Sequence, residues 1–292
     1  SGIDVNAQNL SGKTALHEAA RTGKTAMVTL LLDNGANINS TDATGKTVLI
    51  DSIHSGNIEL VKMLLTRGAS PQIQEMYGRN AYHEAAESGN IELINLIRTA
   101  GGNPLSRDTH GRTPFSLVLD KSDETIKAVL GNDINLSDSD GNTPIHIAVQ
   151  NKVSSDKIFM LISMNYPLNR RNSLGLTPLT LAVKNNQNDL AKTLIECGAD
   201  PFVTDNSGEC AVSFAISDNA EVLNYIVQTT GNKKDMTGEG ILHYAARTGD
   251  LDTIKKLLSM GLDRTSKNIS GETPYDIAIR WQRETSILDV LK

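Results

Sequence analysis

The chain has 292 residues and a formal net charge of −6, with 28 basic and 34 acidic residues mixed along its length. This balance argues against general affinity for nucleic acid, which needs a basic surface. No stretch approaches the roughly 20 apolar residues of a membrane span, so membrane insertion is not expected. The two cysteines, Cys197 and Cys210, make no disulfide framework; we expect reduced thiols in a cytoplasmic protein, although one bridge between them stays open.

A motif that begins with glycine recurs along the whole sequence. Its glycines are separated by 33, 33, 33, 30, 34, 33, 30 and 33 residues and lie at Gly12, Gly45, Gly78, Gly111, Gly141, Gly175, Gly208, Gly238 and Gly271. Such a period indicates a solenoid, in which each repeat contacts only its neighbours. The low aromatic content, 4%, is more typical of a thin stack of small helices than of a large globular core.

The residue pattern within each repeat predicts two helices followed by a loop. A threonine caps the first helix, and a proline after it is tolerated because the first helical N–H has no partner. This pair occurs at Thr113-Pro114, Thr143-Pro144, Thr177-Pro178 and Thr273-Pro274. A left-handed glycine is expected to end the first helix, at Gly23, Gly56, Gly89 and Gly249. The second helix carries a wider apolar face, such as Met27, Val28, Leu30 and Leu31.

Departures from the period mark three repeats. The repeats from Gly111 and Gly208 are three residues short, and the repeat from Gly141 has one extra residue near 151–155. We expect a bend near 130–155, with neutral drift as the alternative, because solenoids tolerate local changes. Residues 1–11 are expected to be the tail of a preceding repeat, and residues 271–292 a capping repeat with a polar outer face.

The quoted motifs resemble those of one known family. Stretches such as GKTALHEAARTG, GNTPIHIAVQN, GLTPLTLAVKNN and GETPYDIAIRW, with endings such as LLLDNGANIN and LIECGADP, resemble the ankyrin repeat over essentially the whole chain. The resemblance implies an all-α solenoid of stacked helix–turn–helix units joined by β-hairpin-like loops, as a single array over residues 1–292. It also implies a non-catalytic module that binds a protein along its concave face and hairpin tips.

A histidine next to a glutamate in the first helix could suggest catalysis. However, one slot of the repeat holds four histidines, His17, His83, His146 and His243. A feature built several times is better explained as structural, so we expect each imidazole to join one turn to the next through the backbone. Glu18 and Glu84 are interpreted as ordinary solvent-side residues. Because the sequence has no HExxH, paired CxxC or Walker-type loop, we expect no enzyme activity, cofactor, metal or small-molecule substrate.

Four basic residues follow the motif glycines of the first four repeats and are termed the basic row: Lys13, Lys46, Arg79 and Arg112. The same slot is acidic in the last three repeats, at Glu209, Glu239 and Glu272. Stacked repeats would align these side chains, and the basic row would then attract an acidic segment of a partner. The alternative is that the slot only requires a polar, exposed residue.

Further partner-binding residues are expected at hairpin tips and at the ends of first helices. They are Arg21, His54, Met76, Tyr77 and His110, with His54 and His110 predicted to be exposed. Tyrosine and arginine are enriched at binding hot spots, which favours Tyr77 beside Arg79. Trp281 either faces the binding groove or covers the end of the stack, and both interpretations stay open.

The sequence therefore predicts a monomeric, rigid module that binds a protein whose identity is unknown. The alternative function is that of a targeting or regulatory region in a longer enzyme or effector, with the catalytic domain outside this chain.

Overall fold

The computed structural model describes residues 4–292, so residues 1–3 of the predicted N-terminal tail lie outside the described residues. Two compact units divide the chain, the N-terminal unit up to Ser139 and the C-terminal unit from Asp140. Their boundary falls within residues 130–155. The single array and the bend stay predictions, and each unit is described by itself.

In the N-terminal unit, first helices form one layer and second helices form another. The α-helices are α1 (Ala15–Arg21), α2 (Thr25–Asp33), α3 (Val48–His54), α4 (Ile58–Thr66), α5 (Ala81–Ser88), α6 (Ile91–Thr99) and α7 (Asp123–Leu130), with a 3-10 turn at Ser116–Val118. Helix α3 packs between α1 and α5, and α5 packs against the 3-10 turn. Helix α6 packs between α4 and α7.

The C-terminal unit repeats this arrangement. Its helices are α8 (Pro144–Gln150), α9 (Ser155–Ser163), α10 (Pro178–Lys184), α11 (Asn188–Glu196), α12 (Ala211–Asp218), α13 (Ala220–Thr230), α14 (Ile241–Thr248), α15 (Leu251–Ser259), α16 (Pro274–Arg280) and α17 (Thr285–Leu291). Within residues 4–292 the only β pairing consists of two isolated bridges, Thr41–Thr47 and Lys234–Gly240. The predicted all-α class is confirmed.

Thr-Pro pairs begin helices as predicted, except in the repeat from Gly111. There Thr113 accepts a hydrogen bond from the Ser116 N–H at 3.0 Å, but only the 3-10 turn follows instead of a first helix. Ser122, the cap of α7, comes nine residues after Thr113, whereas ten residues separate the corresponding caps Asn80 and Asn90. The shorter segment turns back toward α7 before an α-helical turn is completed.

The predicted glycine ends are confirmed in three of four repeats. Gly23, Gly56 and Gly89 have φ values of 68°, 72° and 70°. Gly249 is extended instead, with φ −68° and ψ 152°, because it leads directly into Asp250, the cap of α15. A Cβ at Gly249 would lie 2.8 Å from the Ala245 carbonyl oxygen. Close packing, and not a left-handed turn, therefore accounts for glycine at this position.

The apolar face of the second helix is buried in α4 but only partly in α2, where Val28 is fully buried. Leu60, Val61 and Leu64 are fully buried, whereas Met27 and Leu30 are 47% and 56% exposed. Met27 and Leu30, which were predicted on the apolar face, are therefore largely open to solvent. Among the described residues, α1 is the principal neighbour of α2, and it leaves this side of α2 open to solvent.

Several motif glycines bring one hairpin against the next. Gly12 has φ 74°, and a Cβ there would lie only 2.4 Å from the Ala43 nitrogen. The Ala43 N–H donates to the Ser11 carbonyl at 3.0 Å, and one repeat later the Met76 N–H donates to the Thr44 carbonyl at 2.8 Å. Glycine thus meets two requirements, a positive φ and close approach of the neighbouring backbone.

The four in-register histidines link neighbouring repeats, as predicted. In α1 the His17 Nδ1 accepts from the Thr14 N–H at 3.2 Å, so Nε2 carries the proton and donates to the Lys46 carbonyl at 3.2 Å. The same pair of bonds recurs at His83, His146 and His243. Burial lowers the pKa of His83 and of His243, which favours this neutral form.

Replacing one bridging histidine tests its contribution to stability. We expect His83→Ala to lower the free energy of unfolding by about 1–3 kcal/mol, because the Asn80 N–H and the Arg112 carbonyl lose their shared partner. Urea unfolding followed by circular dichroism measures the change. The control His110→Ala alters an exposed histidine and should stay within about 0.5 kcal/mol of the unmodified chain. Equal losses in the two variants would contradict the bridging role.

Candidate protein-binding surface

The predicted binding residues lie at hairpin tips and first-helix ends, with unequal exposure. The exposed ones are Arg21, His54, Met76, Tyr77, His110, Arg112 and Trp281, and the half-buried ones are Lys13, Lys46 and Arg79. The predicted exposure of His54 and His110 is confirmed. Their role in binding a partner stays a prediction.

A row of carboxylates accompanies the basic row in the first three repeats. Glu18, Asp51 and Glu84 each follow their motif glycine by six residues and are termed the acidic row. Lys13 Nζ lies 3.8 Å from Asp51 Oδ2 in the next repeat. Arg79 Nε donates to Glu84 Oε1 at 2.8 Å within its own repeat. Sequence analysis missed this pairing, although the shared spacing of the three acids was visible.

Glu84 is the centre of a charged network at α3 and α5. His54 Nε2 contacts Glu84 Oε2 at 2.9 Å, and Arg79 bridges Glu84 and Glu87. Only 16% of the Glu84 side chain is exposed, so its interpretation as a solvent-side residue is wrong. Burial raises the pKa of this carboxyl, but hydrogen bonds from His54 and Arg79 outweigh that effect and lower the pKa to about 2.

Asp51 is the most buried member of the acidic row. Its side chain is 3% exposed, and its Oδ2 has no hydrogen-bond partner. Burial raises the pKa of Asp51, and the nearby charge of Lys13 offsets this only in part. Asp51 lies close to Lys13 of the basic row, which was expected to attract acidic partners. Its carboxyl group therefore makes the positive field of the basic row weaker than the sequence suggests.

Arg112 also has an internal partner but remains accessible. Its Nε donates to Asp108 Oδ2 at 2.8 Å, while 47% of its side chain stays exposed. In contrast, Arg79 is only 15% exposed and holds two carboxylates. The basic row therefore contains mainly internally paired charges, with unequal capacity to meet a partner.

Met76 and Tyr77 make one hairpin tip apolar. They are 59% and 54% exposed, and the Glu75 carboxylate accepts from the Tyr77 N–H at 3.0 Å to hold the turn. The neighbouring tips carry the smaller or more polar pairs Ala43-Thr44 and Thr109-His110. The tip of the third repeat thus offers a larger apolar contact than either neighbouring tip, while Leu10 is exposed at the tip of the first repeat.

Trp281 lies at the end of α16 in the C-terminal unit and is 53% exposed. The Arg247 guanidinium carbon lies 5.7 Å from its ring centroid and 5.3 Å from that of Tyr244. Arg247 also pairs with Glu239 at 2.7 Å. The indole thus covers an arginine from the preceding repeat while about half of the residue stays exposed, and its role in binding a partner stays a prediction.

Within residues 4–292, no group of three or more His, Cys, Asp and Glu side chains is arranged to hold a metal ion. Cys197 and Cys210 are both free thiols. None of the described helices combines the length and the apolar character that crossing a membrane requires.

Within each unit, stacked helix pairs with hairpin tips define a helical-repeat protein. The family model for ankyrin repeats in three copies matches residues 1–75, 82–167, 115–205, 153–237 and 211–292. The chain belongs to the ankyrin-repeat family. Ankyrin repeats are a general protein–protein interaction module, and their fold is typically non-catalytic.

Similar proteins share the repeats within larger chains. The B-cell lymphoma 3 protein homolog of Mus musculus is 32% identical over 156 residues, 49% of this chain and 34% of that protein. Rabankyrin-5 of Mus musculus is 31% identical over 148 residues, 48% of this chain and 13% of its own length. Tyrosine-protein kinase HTK16 of Hydra vulgaris is 28% identical over 120 residues, which are 39% of this chain and 16% of that protein. The chain thus spans about a third or less of these relatives.

The Glu84 network predicts a specific pH dependence. Its pKa of about 2 lies below the value of about 4.3 for a free glutamate, so ionised Glu84 stabilises the fold above that pH. We expect Glu84→Gln to lose about 1–2 kcal/mol at pH 6, after allowance for partial exposure. The loss should shrink as the pH falls through about 4 toward 2, because the unfolded chain then takes up a proton that native Glu84 does not bind until about pH 2.

Urea unfolding at a series of pH values measures this difference. The control Glu59→Gln changes an exposed glutamate on α4 and should show little difference at any pH. A Glu84→Gln loss that stays constant with pH would contradict an electrostatic origin.

Proposed function

We propose that the N-terminal unit binds a partner protein through the apolar tip of Met76 and Tyr77, without catalysing a reaction. The exposed pair at that tip is the observation that carries the proposal. Each neighbouring hairpin is hydrogen-bonded to this one, as the Thr109 N–H donates to the Tyr77 carbonyl at 2.8 Å. The tip is therefore held in place before binding, which lowers the ordering cost of association.

The charged part of this surface favours an acidic segment of the partner. Arg112 keeps nearly half of its side chain exposed, and Lys46 is half-buried in the same row. Arg79 lies between them in the sequence of repeats, but its guanidinium is occupied by Glu84 and Glu87. Acidic groups of the partner would accordingly contact Lys46 and Arg112, while an apolar side chain contacts Tyr77.

We further propose that the module acts as a monomer in the cytoplasm and does not bind nucleic acid. The free thiols of Cys197 and Cys210 support a reducing compartment. The net charge of −6 disfavours attraction to a polyanion.

Quantitative capture from source-cell lysate tests the protein-binding proposal. The unmodified chain, Tyr77→Ala and Lys46→Glu serve as parallel baits, and captured proteins are identified by mass spectrometry. We expect the same partner to be depleted about tenfold with either variant, because a hot-spot contact and a complementary charge are each lost. Binding of the purified partner is then titrated against each variant.

Two matched variants control for general effects. Thr109→Ala alters the next hairpin tip, and Lys62→Glu makes the same charge change at an exposed position of α4. Both should retain the partner. Equal capture by all five baits would contradict the assignment of this surface.

A second candidate function is that of a targeting or regulatory region of a longer enzyme or effector. The similarity to a tyrosine-protein kinase of Hydra vulgaris and to a mitochondrial disaggregase of Bos taurus, the latter 28% identical over 143 residues, supports this alternative. The full coding sequence around this chain tests it. A catalytic domain in the same reading frame would support a regulatory role, and a reading frame with repeats alone would contradict it.

A further inference from the structure

One polar side chain normally joins each hairpin loop to the next. It lies six residues before the motif glycine, in what we term the loop-bridging slot. The asparagine oxygens of Asn6, Asn39, Asn169 and Asn232 accept from the backbone N–H groups of Asn37, Ser70, Asp200 and Asp263 at 2.8, 2.8, 2.8 and 3.3 Å. Gln72 occupies the same slot and donates to the Gly101 carbonyl. The slot thus ties consecutive loops together with polar atoms. Leu105 occupies the slot in the repeat from Gly78 and cannot make the bond.

Phe202 occupies the loop-bridging slot of the repeat from Gly175, and a phenyl ring cannot make this bond. The loop that follows is also shorter. Residues 232–234 connect the left-handed Gly231 to the turn aspartate Asp235, whereas residues 199–204 connect Gly198 to Asp205 one repeat earlier. Substitution and shortening act at the same junction, where Lys233 and Asp200 make a long ion pair at 3.5 Å.

An apolar groove of about 350 Å³ opens at this junction. Phe202, Val203 and Met236 line it with Thr204 and Thr237, and the charged residues Arg171, Asp200 and Asp235 complete the lining. The Phe202 ring is 4% exposed and packs against Tyr244 with ring centroids 6.0 Å apart, so the floor of the groove is firmly supported. Met236 is 95% exposed at the rim. The groove therefore combines a fixed floor with an adaptable edge.

The accessible charge around the groove is positive. Asp235 already accepts from the Thr237 N–H, the Glu239 N–H and the Tyr244 hydroxyl at 2.8, 2.9 and 2.7 Å. The Lys233 side chain is 51% exposed, and Lys234 is exposed beside it. Asp235 serves its own loop, and Asp200, which also lines the groove, pairs with Lys233. The other charged groups at the groove, Arg171 and Lys234, are positive and exposed, so the accessible charge that an approaching chain meets is positive.

We propose that this groove binds an extended segment of a partner protein, with one large apolar side chain inserted between the loops and acidic residues beside Lys233 and Lys234. The inference rests on the proposed protein-binding function but assigns a second surface, in the C-terminal unit. A Leu or Phe side chain contacts Phe202 and Val203, and its flanking carboxylates contact the two lysines. The cavity of about 460 Å³ at the junction of Asn6, Asn37 and Asn39 keeps the polar bridge and is lined by polar side chains, so it does not favour an apolar one.

Short fluorescent synthetic peptides test the groove directly, by anisotropy with the full chain. The peptides carry a central Leu, Phe or Ala flanked by Asp and Glu, and a further set carries the same centres flanked by Lys and Arg. We expect the acidic Leu and Phe peptides to bind on the order of tenfold more tightly than the Ala peptide and than every basic peptide. Equal binding of acidic and basic peptides, or no saturable binding, would overturn the proposal.

Variants of the chain locate the site. Val203→Asp places a charge in the groove and should weaken the acidic Leu peptide about tenfold. The control Ile73→Asp changes the same slot in the N-terminal unit, five residues before Gly78, and should leave binding unaltered. A chain with Ala-Asp-Pro inserted after Asn232 restores the longer loop and should also lose binding. Circular dichroism melting shows that each variant is folded.

The variant Tyr77→Ala separates this inference from the proposed function. Peptide binding that is lost with Val203→Asp and retained with Tyr77→Ala supports the groove. Binding that is lost with Tyr77→Ala and retained with Val203→Asp overturns the groove and leaves the N-terminal surface as the site. Lysate capture that depends on Tyr77, with no peptide binding in the panel, likewise overturns only the groove.

Discussion

Contact between the backbones of successive hairpins is the constraint on which the rest of the structure depends. A motif glycine such as Gly12 lets the next hairpin approach more closely than any Cβ would allow. The imidazole of His17 then joins that hairpin to the preceding helix start through the Lys46 carbonyl. Together these contacts set one repeat against the next, so helix layers, loops and tips all follow the same spacing.

Much of this arrangement could be predicted from the sequence, because each structural role recurs in one slot. The helix pairs, the capping threonines and the histidine bridges follow from residues that return with the period. The burial of Glu84 and the pairing of Asp51 could not be predicted, because part of the environment of each comes from another repeat. His54 contacts Glu84, and Lys13 contacts Asp51. The repeat period shows which residues occupy equivalent positions, but it does not show which different positions of adjacent repeats come into contact. The exposure of Met27 likewise has its cause outside its own helix, because no described element covers that side of α2.

Changes in repeat length have local and different consequences. The segment after Thr113 loses an α-helix and keeps a 3-10 turn. The loop before Asp235 loses three residues and, with Phe202 in the bridging slot, leaves a groove. The sequence locates both changes but does not distinguish drift from a binding site. Whether a shortened loop leaves a binding site depends on whether the side chains around it are polar or apolar. Some of those side chains, such as Met236 opposite Phe202, belong to the neighbouring repeat.

The local character of the contacts between hairpins also lets different parts of the molecule serve different tasks. Because each repeat contacts only its neighbours, substitutions at Lys46 and Val203, four repeats apart and in different compact units, should have additive effects on stability. A loop can therefore change its length or its side chains without requiring compensation throughout the protein. Recognition in such a chain can diversify one hairpin at a time, while glycine and histidine keep the register that all hairpins share.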